Sequence, residues 1–284
     1  MRNQSIWGQE IGYGLTRDPS SVEGVAYRGY GFGFAGGFDR PLDSGALFGA
    51  SASFITSQVE EPGRPDGEIA ATFGQLNAYL GTSLGVFDLD LVAGAGVGRM
   101  RERRFVEIGD SFSSLSEADW WAYEGHGAAH LSAPIRMGDF TLTPRTALTY
   151  VALHEGAYTE SGGGAGIDYD VDSALSQRLW GDAALELSAR LGRENDPRAN
   201  VFAPRVMVGY RANLIDEGAE RTFRVASGGA PFTLTDTGYG SGGALAGVGF
   251  TAGNAYSSFS LSYEGEFGDE LTRHSLNASI RINF

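Results

Sequence analysis

A glutamate and two histidines come closest, by residue type and spacing, to a set that could do chemistry. In the segment WWAYEGHGAAHL, Glu124, His126 and His130 are two and four residues apart, which places all three side chains on one face of a β-strand. Carboxylate and imidazole groups on one face can hold a zinc ion or exchange protons. No nucleophile motif accompanies them, so we predict no catalytic residue, no metal site and no enzyme activity.

The alternating run DYDVDS is a second candidate, because Asp168, Asp170 and Asp172 are spaced as in the start of a calcium-binding loop. Such a loop also needs a glycine at its sixth position and a glutamate at its twelfth. Ser173 and Leu179 stand there instead, so the run is predicted to be a solvated strand extension. The segment GAGVG (94–98) lacks the helix that must follow a dinucleotide-binding loop. No cofactor is therefore predicted.

The segment RMRERR (99–104) holds four arginines. Two interpretations remain open for this basic cluster. It follows a predicted strand, so it could meet the acidic headgroups of lipopolysaccharide, or it could be a solvated loop.

The composition excludes several classes of protein. A net charge of −14 argues against binding to a phosphate backbone. The chain has no cysteine, so disulfides and thiolate metal sites are ruled out. No stretch stays apolar over the ~20 residues of a transmembrane helix, and no apolar signal sequence follows the opening MRNQ. The 43 glycines and 12% aromatic residues indicate many closely packed strands.

The element that positions these residues is the β-strand. The last ten residues, SLNASIRINF, alternate strictly between polar and apolar side chains, a period that is typical of half-buried strands and that helices cannot produce. The same pattern recurs about twelve times along the chain. The predicted strands cover 5–15, 24–38, 46–58, 68–82, 86–100, 119–132, 139–153, 175–192, 200–214, 242–253, 256–267 and 270–284.

The connections between these strands alternate in length. Short turns such as RPLDSG (40–45) and SLG (83–85) follow every second strand, and longer segments such as SQVEEPGRPDGE and RERRFVEIGDSFSSLSEA mostly fill the other connections. Short turns on one rim and long loops on the other are typical of an up-and-down membrane barrel. The predicted fold class is all-β, a closed antiparallel up-and-down transmembrane β-barrel of about 12 strands, with short periplasmic turns and longer extracellular loops.

Each strand of such a barrel has one face toward lipid and one toward a water-filled lumen. Strands of ten or more residues are long enough to cross a bilayer at a tilt. On the apolar face, the predicted interfacial aromatic girdle is Phe87, Trp121, Tyr123, Phe140, Tyr150 and Phe267. On the polar face, the predicted lumen-lining residues are Glu124, Arg145, Asp182, Glu186, Arg190, Arg205, Arg211, Glu264 and Arg281.

Several stretches resemble the autotransporter β-barrel, the translocator domain of type V secreted proteins. The terminal ASIRINF, ending in an aromatic residue, resembles the closing strand of that family. TLTPRTALTYVALHEGAYTESG is similar to a mid-barrel strand with its loop, and FRVASGGAPFTLTDTGYGSGGALAGVGF to a late surface loop that runs into a Gly-rich strand. SIWGQEIGYG resembles the opening strand, so the resemblance spans essentially the whole chain.

The resemblance implies an integral outer-membrane barrel of a Gram-negative bacterium that assists secretion of an N-terminal passenger to the cell surface. Residues 1–284 would be a single barrel domain, with signal peptide, passenger and pore helix absent from this chain. The expected partners are outer-membrane lipid and lipopolysaccharide, the protein's own passenger, and the barrel-assembly machinery. The assembly signal for that machinery would be Leu276, Ala278, Ile280, Ile282 and Phe284.

Two alternatives come from other functional classes. A stand-alone small outer-membrane porin or surface adhesin would be complete without a passenger, and the upstream coding sequence distinguishes it from a translocator. A soluble all-β enzyme would fold without detergent and would need a catalytic cluster, which the sequence lacks.

Overall fold

Regular structure in this protein consists of β-strands. The computed structural model describes residues 4–18, 26–61, 67–109, 111–192, 198–236, 238 and 240–284. Every regular element in these ranges is a strand, as the alternating sequence predicts. Within the same ranges, no helix is long and apolar enough to cross a membrane.

The described residues form seventeen strands. Their bounds are β1 (Ser5–Arg17), β2 (Tyr27–Pro41), β3 (Leu47–Glu60), β4 (Glu68–Leu84), β5 (Phe87–Ile108), β6 (Phe112–Ser132), β7 (Ile135–Met137), β8 (Phe140–Glu155), β9 (Tyr158–Thr159), β10 (Tyr169–Val171), β11 (Ala174–Ala189), β12 (Val201–Glu217), β13 (Glu220–Val225), β14 (Phe232–Thr235), β15 (Gly242–Gly253), β16 (Ser257–Gly268) and β17 (Leu271–Asn283).

Twelve of these strands close into an antiparallel barrel. Each pairs with its neighbours in chain order, from β1 through β6 to β8, β11, β12, β15, β16 and β17. Pairing of β17 with β1, from Ser5↔Asn283 to Arg17↔Leu271, closes the seam between the chain ends. Among the described strands, the short strand β7 pairs with β8 alone, inside a turn. The predicted closed barrel of about 12 strands is confirmed.

One predicted loop is wrong. The segment 101–118 was expected to connect two strands, but β5 continues to Ile108 and β6 begins at Phe112. Phe105 pairs with Leu115 in this extension, although neither arm alternates between polar and apolar residues, so the sequence pattern gave no sign of it. The hairpin β5–β6 thus rises well beyond its neighbours at the long-loop rim.

Alternation along each strand separates an outer apolar surface from an inner polar one. On β2, Tyr30, Phe32 and Phe34 are 57%, 41% and 54% exposed on the outside. Asp39 points inward on the same strand and is 1% exposed. Contiguous exposed apolar surface of this kind is what a membrane barrel presents to lipid.

Glycines on the inner wall leave room for neighbouring strands and rings. A Cβ atom added to Gly209 would lie 2.6 Å from both the backbone oxygen of Ala183 and the Cβ atom of Ala184. A Cβ atom at Gly37 would overlap the indole ring of Trp7 at 2.5 Å. The high glycine content therefore has a packing reason at these positions.

Strands outside the barrel form a small cap sheet at the long-loop rim, in the order β14-β13-β10-β9. Tyr169, Phe223 and Phe232 pack together in it, with ring centroids 5.4 to 5.9 Å apart. The cap sheet is joined to the barrel by backbone hydrogen bonds between Glu117 and Ser161, at 2.8 and 2.9 Å. Together with one wall of the barrel it encloses a cavity of about 570 Å³.

Candidate functional site

The inner wall from β8 to β17 carries a network of ion pairs. Arg211 donates from Nε and Nη2 to the two carboxylate oxygens of Asp182, each at 2.7 Å. Its Nη1 donates to Glu266 at 2.9 Å, and Arg273 Nη2 lies 2.7 Å from the same carboxylate. The guanidinium of Arg211 also packs 5.4 Å from the ring of Trp180. Opposite charges therefore neutralise one another along this wall.

Arg145 extends the same charged wall toward the short-turn rim. Its Nη1 donates to Glu186 at 3.2 Å, and the two side chains are 42% and 20% exposed to the lumen. A cavity of about 210 Å³ connects this pair with the Arg211 network. The charged and titratable residues that line it are His130, Arg145, Asp182, Arg211, Glu264 and Arg273.

A second polar row crosses the opposite wall on β3, β4 and β6. Ser53 donates to Gln75 at 2.9 Å, and Gln75 donates to Glu124 at 2.7 Å. His126 lies between Glu124, at 2.8 Å from Nδ1, and Asn77, at 2.6 Å from Nε2. The polar groups of this row are therefore bonded to one another without an arginine, unlike those of the charged wall.

A third cluster, here called the seam clasp, joins the first and last strands near the short-turn rim. It consists of Ser5, Trp7, Asp39, Tyr79 and Arg281. Arg281 donates to Ser5 at 2.7 Å and to Asp39 at 2.8 Å. Asp39 also accepts from Ser5 at 2.6 Å and from Tyr79 at 3.1 Å, and Trp7 donates to Tyr79 at 2.7 Å. The two Arg281 contacts of the clasp bring β17 to β1 and β2 across the seam.

Charged contacts also hold the cap sheet against the long-loop end of the lumen. Arg221 binds Glu155 of β8, and Arg104 of β5 binds Glu160. The ring of Tyr158 stacks on Trp120, with centroids 4.1 Å apart. Burial raises the pKa of Tyr158, and the nearby Glu102 carboxylate raises that pKa further. Tyr158 therefore stays a neutral hydrogen-bond donor.

Asp168 belongs to the loop that precedes β10. Burial by itself would raise the pKa of this carboxyl group, but hydrogen bonds from Ser116 and from the backbone N–H groups of Gly164 and Gly163 lower it overall. The aspartate run thus includes a short strand at the rim, β10, and Asp172 after it is exposed, whereas Asp168 is bound by the barrel and by its own loop. Among the described residues, no group of three His, Cys, Asp or Glu side chains is arranged to hold a metal ion.

The two histidines of β6 are not brought together by the fold. His126 belongs to the row with Glu124 and Asn77, whereas His130 lines the cavity beside Arg145. Four residues along a strand separate side chains by about 13 Å. The two histidines are therefore too far apart to act on one group.

The predicted lumen residues point toward the interior, and the fold brings several of them together. Arg145, Asp182, Glu186, Arg211 and Glu264 share the charged wall. Glu124 lies on the opposite wall and Arg281 in the seam clasp. Arg205 is half-buried on β12, and Arg190 is exposed just past the end of β11, at the mouth of the barrel. Their functional role stays a prediction.

The predicted girdle and terminal-strand residues lie on the outer surface. The exposed fractions of the girdle side chains are Phe87 45%, Trp121 52%, Tyr123 54%, Phe140 51%, Tyr150 37% and Phe267 46%. Phe284, the last residue, is 62% exposed. Ten residues separate Phe140 from Tyr150, which at the usual strand tilt is about the 25 Å height of a barrel's apolar band.

Sequence reasoning missed several inward-facing polar residues. Asp39, Glu155 and Glu266 are 1%, 4% and 6% exposed and each holds an arginine. Alternation alone places Asp39 on the strand face away from Phe38, and Glu266 on the face away from Phe267. Their arginine partners lie far away in the sequence, so no local signal could reveal the pairing.

Comparison with protein families gives a match over most of the chain. Residues 6–266 match the family model described as "Autotransporter beta-domain". This range runs from the start of β1 into β16 and includes the charged wall on β8, β11 and β12.

Solved structures of similar shape share the fold at low sequence identity. The translocator domain of the autotransporter NalP from Neisseria meningitidis superposes with a TM-score of 0.69 at 16% identity, covering 100% of this chain and 89% of that one. The beta domain of the Bordetella autotransporter BrkA gives 0.71 at 17% identity, covering 99% and 100%. The transport unit of AIDA-I from Escherichia coli gives 0.54 at 9% identity, covering 99% and 90%.

One further sequence match covers only about half of this chain. A stretch of 142 residues is 30% identical to a protein named carbapenem-hydrolyzing β-lactamase KPC from Klebsiella oxytoca. The match covers 49% of this chain and 45% of that protein, so the chain spans less than half of its length. All 21 basic residues here are arginine, and without lysine the Ser-x-x-Lys and Lys-Thr-Gly motifs of class A β-lactamases cannot form.

The family match and the closed barrel agree on one assignment. Autotransporter β-domains are integral outer-membrane barrels that serve the secretion of a passenger, and the barrel described above has their architecture. The predicted resemblance, fold, membrane location and translocator function are thereby confirmed. The chain belongs to the autotransporter β-domain family and is an outer-membrane translocator barrel.

Proposed function

We propose that the passenger crosses the membrane as a hydrated chain beside the charged wall of the lumen. The residues that would line this route are Glu124, Arg145, Asp182, Glu186, Arg205, Arg211, Glu264 and Arg281, with Arg190 at the mouth. In this proposal residues 1–284 act as one barrel domain, and the passenger is attached on its N-terminal side.

Pairing of opposite charges supports this proposal. Arg211 sits between Asp182 and Glu266, and Arg145 beside Glu186. A passing chain of either charge then meets little net attraction, because each fixed charge is compensated at close range. An unpaired cluster of one sign would hold an oppositely charged segment and slow its passage.

Charge reversal at the Arg145–Glu186 pair tests the route. Both side chains are partly exposed, so reversal is tolerable for the fold. With Arg145→Glu, we expect surface display of a basic reporter passenger to slow about three- to fivefold, the effect of roughly 0.6–1 kcal/mol of added attraction. A neutral passenger should be displayed at the normal rate.

The matched control is the double variant Arg145→Glu, Glu186→Arg, which restores a neutral pair and should restore display. Heat-modifiable gel migration confirms that each variant folds. Unchanged display of basic and neutral passengers in a folded Arg145→Glu barrel would contradict the proposed route.

We further propose that the barrel-assembly machinery reads the outer face of β17, formed by Leu276, Ala278, Ile280, Ile282 and Phe284. Its support is that Leu276, Ile280 and Ile282 are 53%, 55% and 47% exposed on one continuous surface. Phe284→Ala should lower the amount of assembled barrel in the outer membrane, whereas Phe267→Ala should not, although Phe267 on β16 is also an exposed aromatic residue. If both variants lower the amount of assembled barrel equally, the loss comes from weaker contact with lipid and contradicts recognition of β17.

Lipopolysaccharide is the proposed lipid partner at the long-loop rim. Around Trp121, Arg99 pairs with Asp119 and Arg103 with Glu117, so most charges of the basic cluster are compensated. Arg101 is exposed on the same outer face and would contact the lipid phosphates. Arg101→Gln should weaken the retention of lipopolysaccharide by the purified barrel, and equal retention by the variant and the unmodified chain contradicts this contact.

A further inference from the structure

The hairpin of β13 and β14 lies at the long-loop end of the lumen, and we call the segment 218–236 that contains it the flap. The flap leaves the barrel wall where β12 ends and leads back toward the start of β15. Its Arg221 binds Glu155 of β8, which points inward and is 4% exposed. The flap is therefore fastened to the inner wall of the barrel.

Arg17 holds the end of the same connection from the other side of the barrel. Its Nη2 donates to the backbone oxygen of Gly238, two residues past the flap, at 2.8 Å. Arg17 ends β1, the first barrel strand, and Glu155 ends β8, the seventh of twelve. Strands six places apart in a closed barrel of twelve lie on opposite walls. These contacts therefore bridge the mouth of the lumen.

The cavity of about 570 Å³ described above lies beneath the flap. Arg221, Phe223 and Asp236 line it from the flap, and inward residues of several barrel strands, among them Ile69 of β4 and Leu153 of β8, line it from the wall. Because these wall residues face the lumen, the flap covers lumen space. A solute that moves outward through this part of the lumen meets the flap.

Most contacts that hold the flap closed can be exchanged for contacts with water. Besides the ion pair between Arg221 and Glu155, they include the ladder of β13 with β10, which has three register pairs. Charged groups and backbone amides that separate bind water instead, so the net cost of parting them is modest. Within the flap, Phe223 and Phe232 stack at 5.4 Å and keep the hairpin together. Tyr169 on β10 packs edge-on against this pair and adds to the closed state.

Glycines stand at both roots of the flap. Gly218 lies between β12 and β13, whereas Gly240 precedes β15 and Gly242 begins it. Gly240 and Gly242 have φ angles of +85° and +130°, a region that other residues rarely adopt. Hinges are short segments that absorb large changes of φ and ψ. The two roots therefore give the flap an axis of rotation beside β12 and β15.

We propose that the flap is a gate, which closes the outer end of the lumen to ions and small solutes and turns about its glycine roots when the lumen opens. In the closed state, pairing with β10 and the Arg221–Glu155 ion pair hold its far side, and Arg17 holds its returning arm. The closed flap keeps the membrane sealed across a water-filled lumen. The gate acts on ions and solutes, so it does not depend on the passenger route proposed above.

A disulfide between the flap and β10 tests the gate, since the chain has no native cysteine. Asp170 and Arg224 are register partners, and the Cα atoms of such partners are about 4.5–5.5 Å apart, within the span of a disulfide. Oxidation of the double variant Asp170→Cys, Arg224→Cys should lower the open probability of the purified barrel in planar bilayers about tenfold or more. A reductant should restore it.

The matched control is the double variant Thr159→Cys, Asp170→Cys, which shares one cysteine and joins β9 to β10 without the flap. Its open probability should be the same before and after oxidation. Heat-modifiable migration shows that each variant folds, and loss of free thiols shows that the disulfide has formed. An oxidised flap that conducts as well as its reduced form overturns the proposal, as does an equal loss of conductance in the control.

Release of the flap is a second measurement that needs no disulfide. Arg17→Ala removes the hydrogen bond to Gly238 and should raise the open probability about tenfold, because a charged donor forms a strong hydrogen bond. Arg28→Ala removes an exposed arginine at the same rim and should leave the open probability unchanged. Equal values for the two alanine variants would contradict the gate. Because conductance is measured without a passenger, the result is independent of passenger secretion.

Discussion

At the scale of single residues, the seam clasp shows how the lumen stabilises the closed barrel. Asp39 accepts hydrogen bonds from Ser5, Tyr79 and Arg281 while only 1% exposed. Buried donors that lose an acceptor cost far more than the mean worth of one hydrogen bond. The clasp is therefore a sensitive point of the seam between the chain ends.

Asp39→Ala should lower the free energy of unfolding by about 1–3 kcal/mol. Arg281 contributes the smaller part of this cost, because its side chain is 41% exposed and can turn to water when Asp39 is removed. The measurement is the temperature at which the barrel loses compact migration in detergent gels. Asp43→Ala, at an exposed turn, is the control, and equal midpoints for both variants would contradict the role given to the clasp.

Substitution of Gly209 tests whether close packing requires glycine on the inner wall. Gly209→Ala places a methyl group 2.6 Å from the Ala183 backbone oxygen and should destabilise the barrel by about 1–3 kcal/mol through overpacking. Gly74→Ala adds the same group where no atom lies within 4 Å and should be nearly neutral. Equal unfolding midpoints for the two alanine variants would refute close packing at Gly209.

At the scale of elements, the long strands were predictable and the cap sheet was not. Strands of twelve residues or more repeat their alternation often enough to stand out, as β16 and β17 do. The cap strands β9 and β10 have two and three residues, too few for any period. Their stability comes from contacts with the barrel, such as the one between Tyr158 and Trp120.

The cap sheet should loosen when its ion pair to the wall is removed. Arg221→Ala leaves Glu155, 6% exposed in its side chain, without its guanidinium partner. In planar bilayers we expect larger and noisier conductance than for the unmodified chain. Arg224→Ala, an exposed arginine on the same strand, should change nothing, and identical traces from both variants would contradict the anchoring role of Arg221.

At the scale of the whole molecule, barrel closure decides which residues meet. Alternation assigns the polar side chains of the lumen to the inner face, but it cannot pair Arg211 with Glu266, 55 residues away, or Asp39 with Arg281, 242 residues away. Those contacts depend on strand register and on the joining of β1 to β17. The sequence therefore predicts which side chains face lipid and which face the lumen. The structure is needed to show which lumen residues form ion pairs with each other.

In this barrel the apolar face of each strand meets lipid, while water fills the lumen. Ser53 points inward beside Gln75, and Leu76 points outward with 70% exposure. In vesicles, Ser53→Cys should react with a water-soluble maleimide, whereas a fluorophore at Leu76→Cys should be quenched by brominated lipid. Rapid aqueous labelling of Leu76→Cys together with protection of Ser53→Cys would show the opposite arrangement, with the apolar faces turned inward.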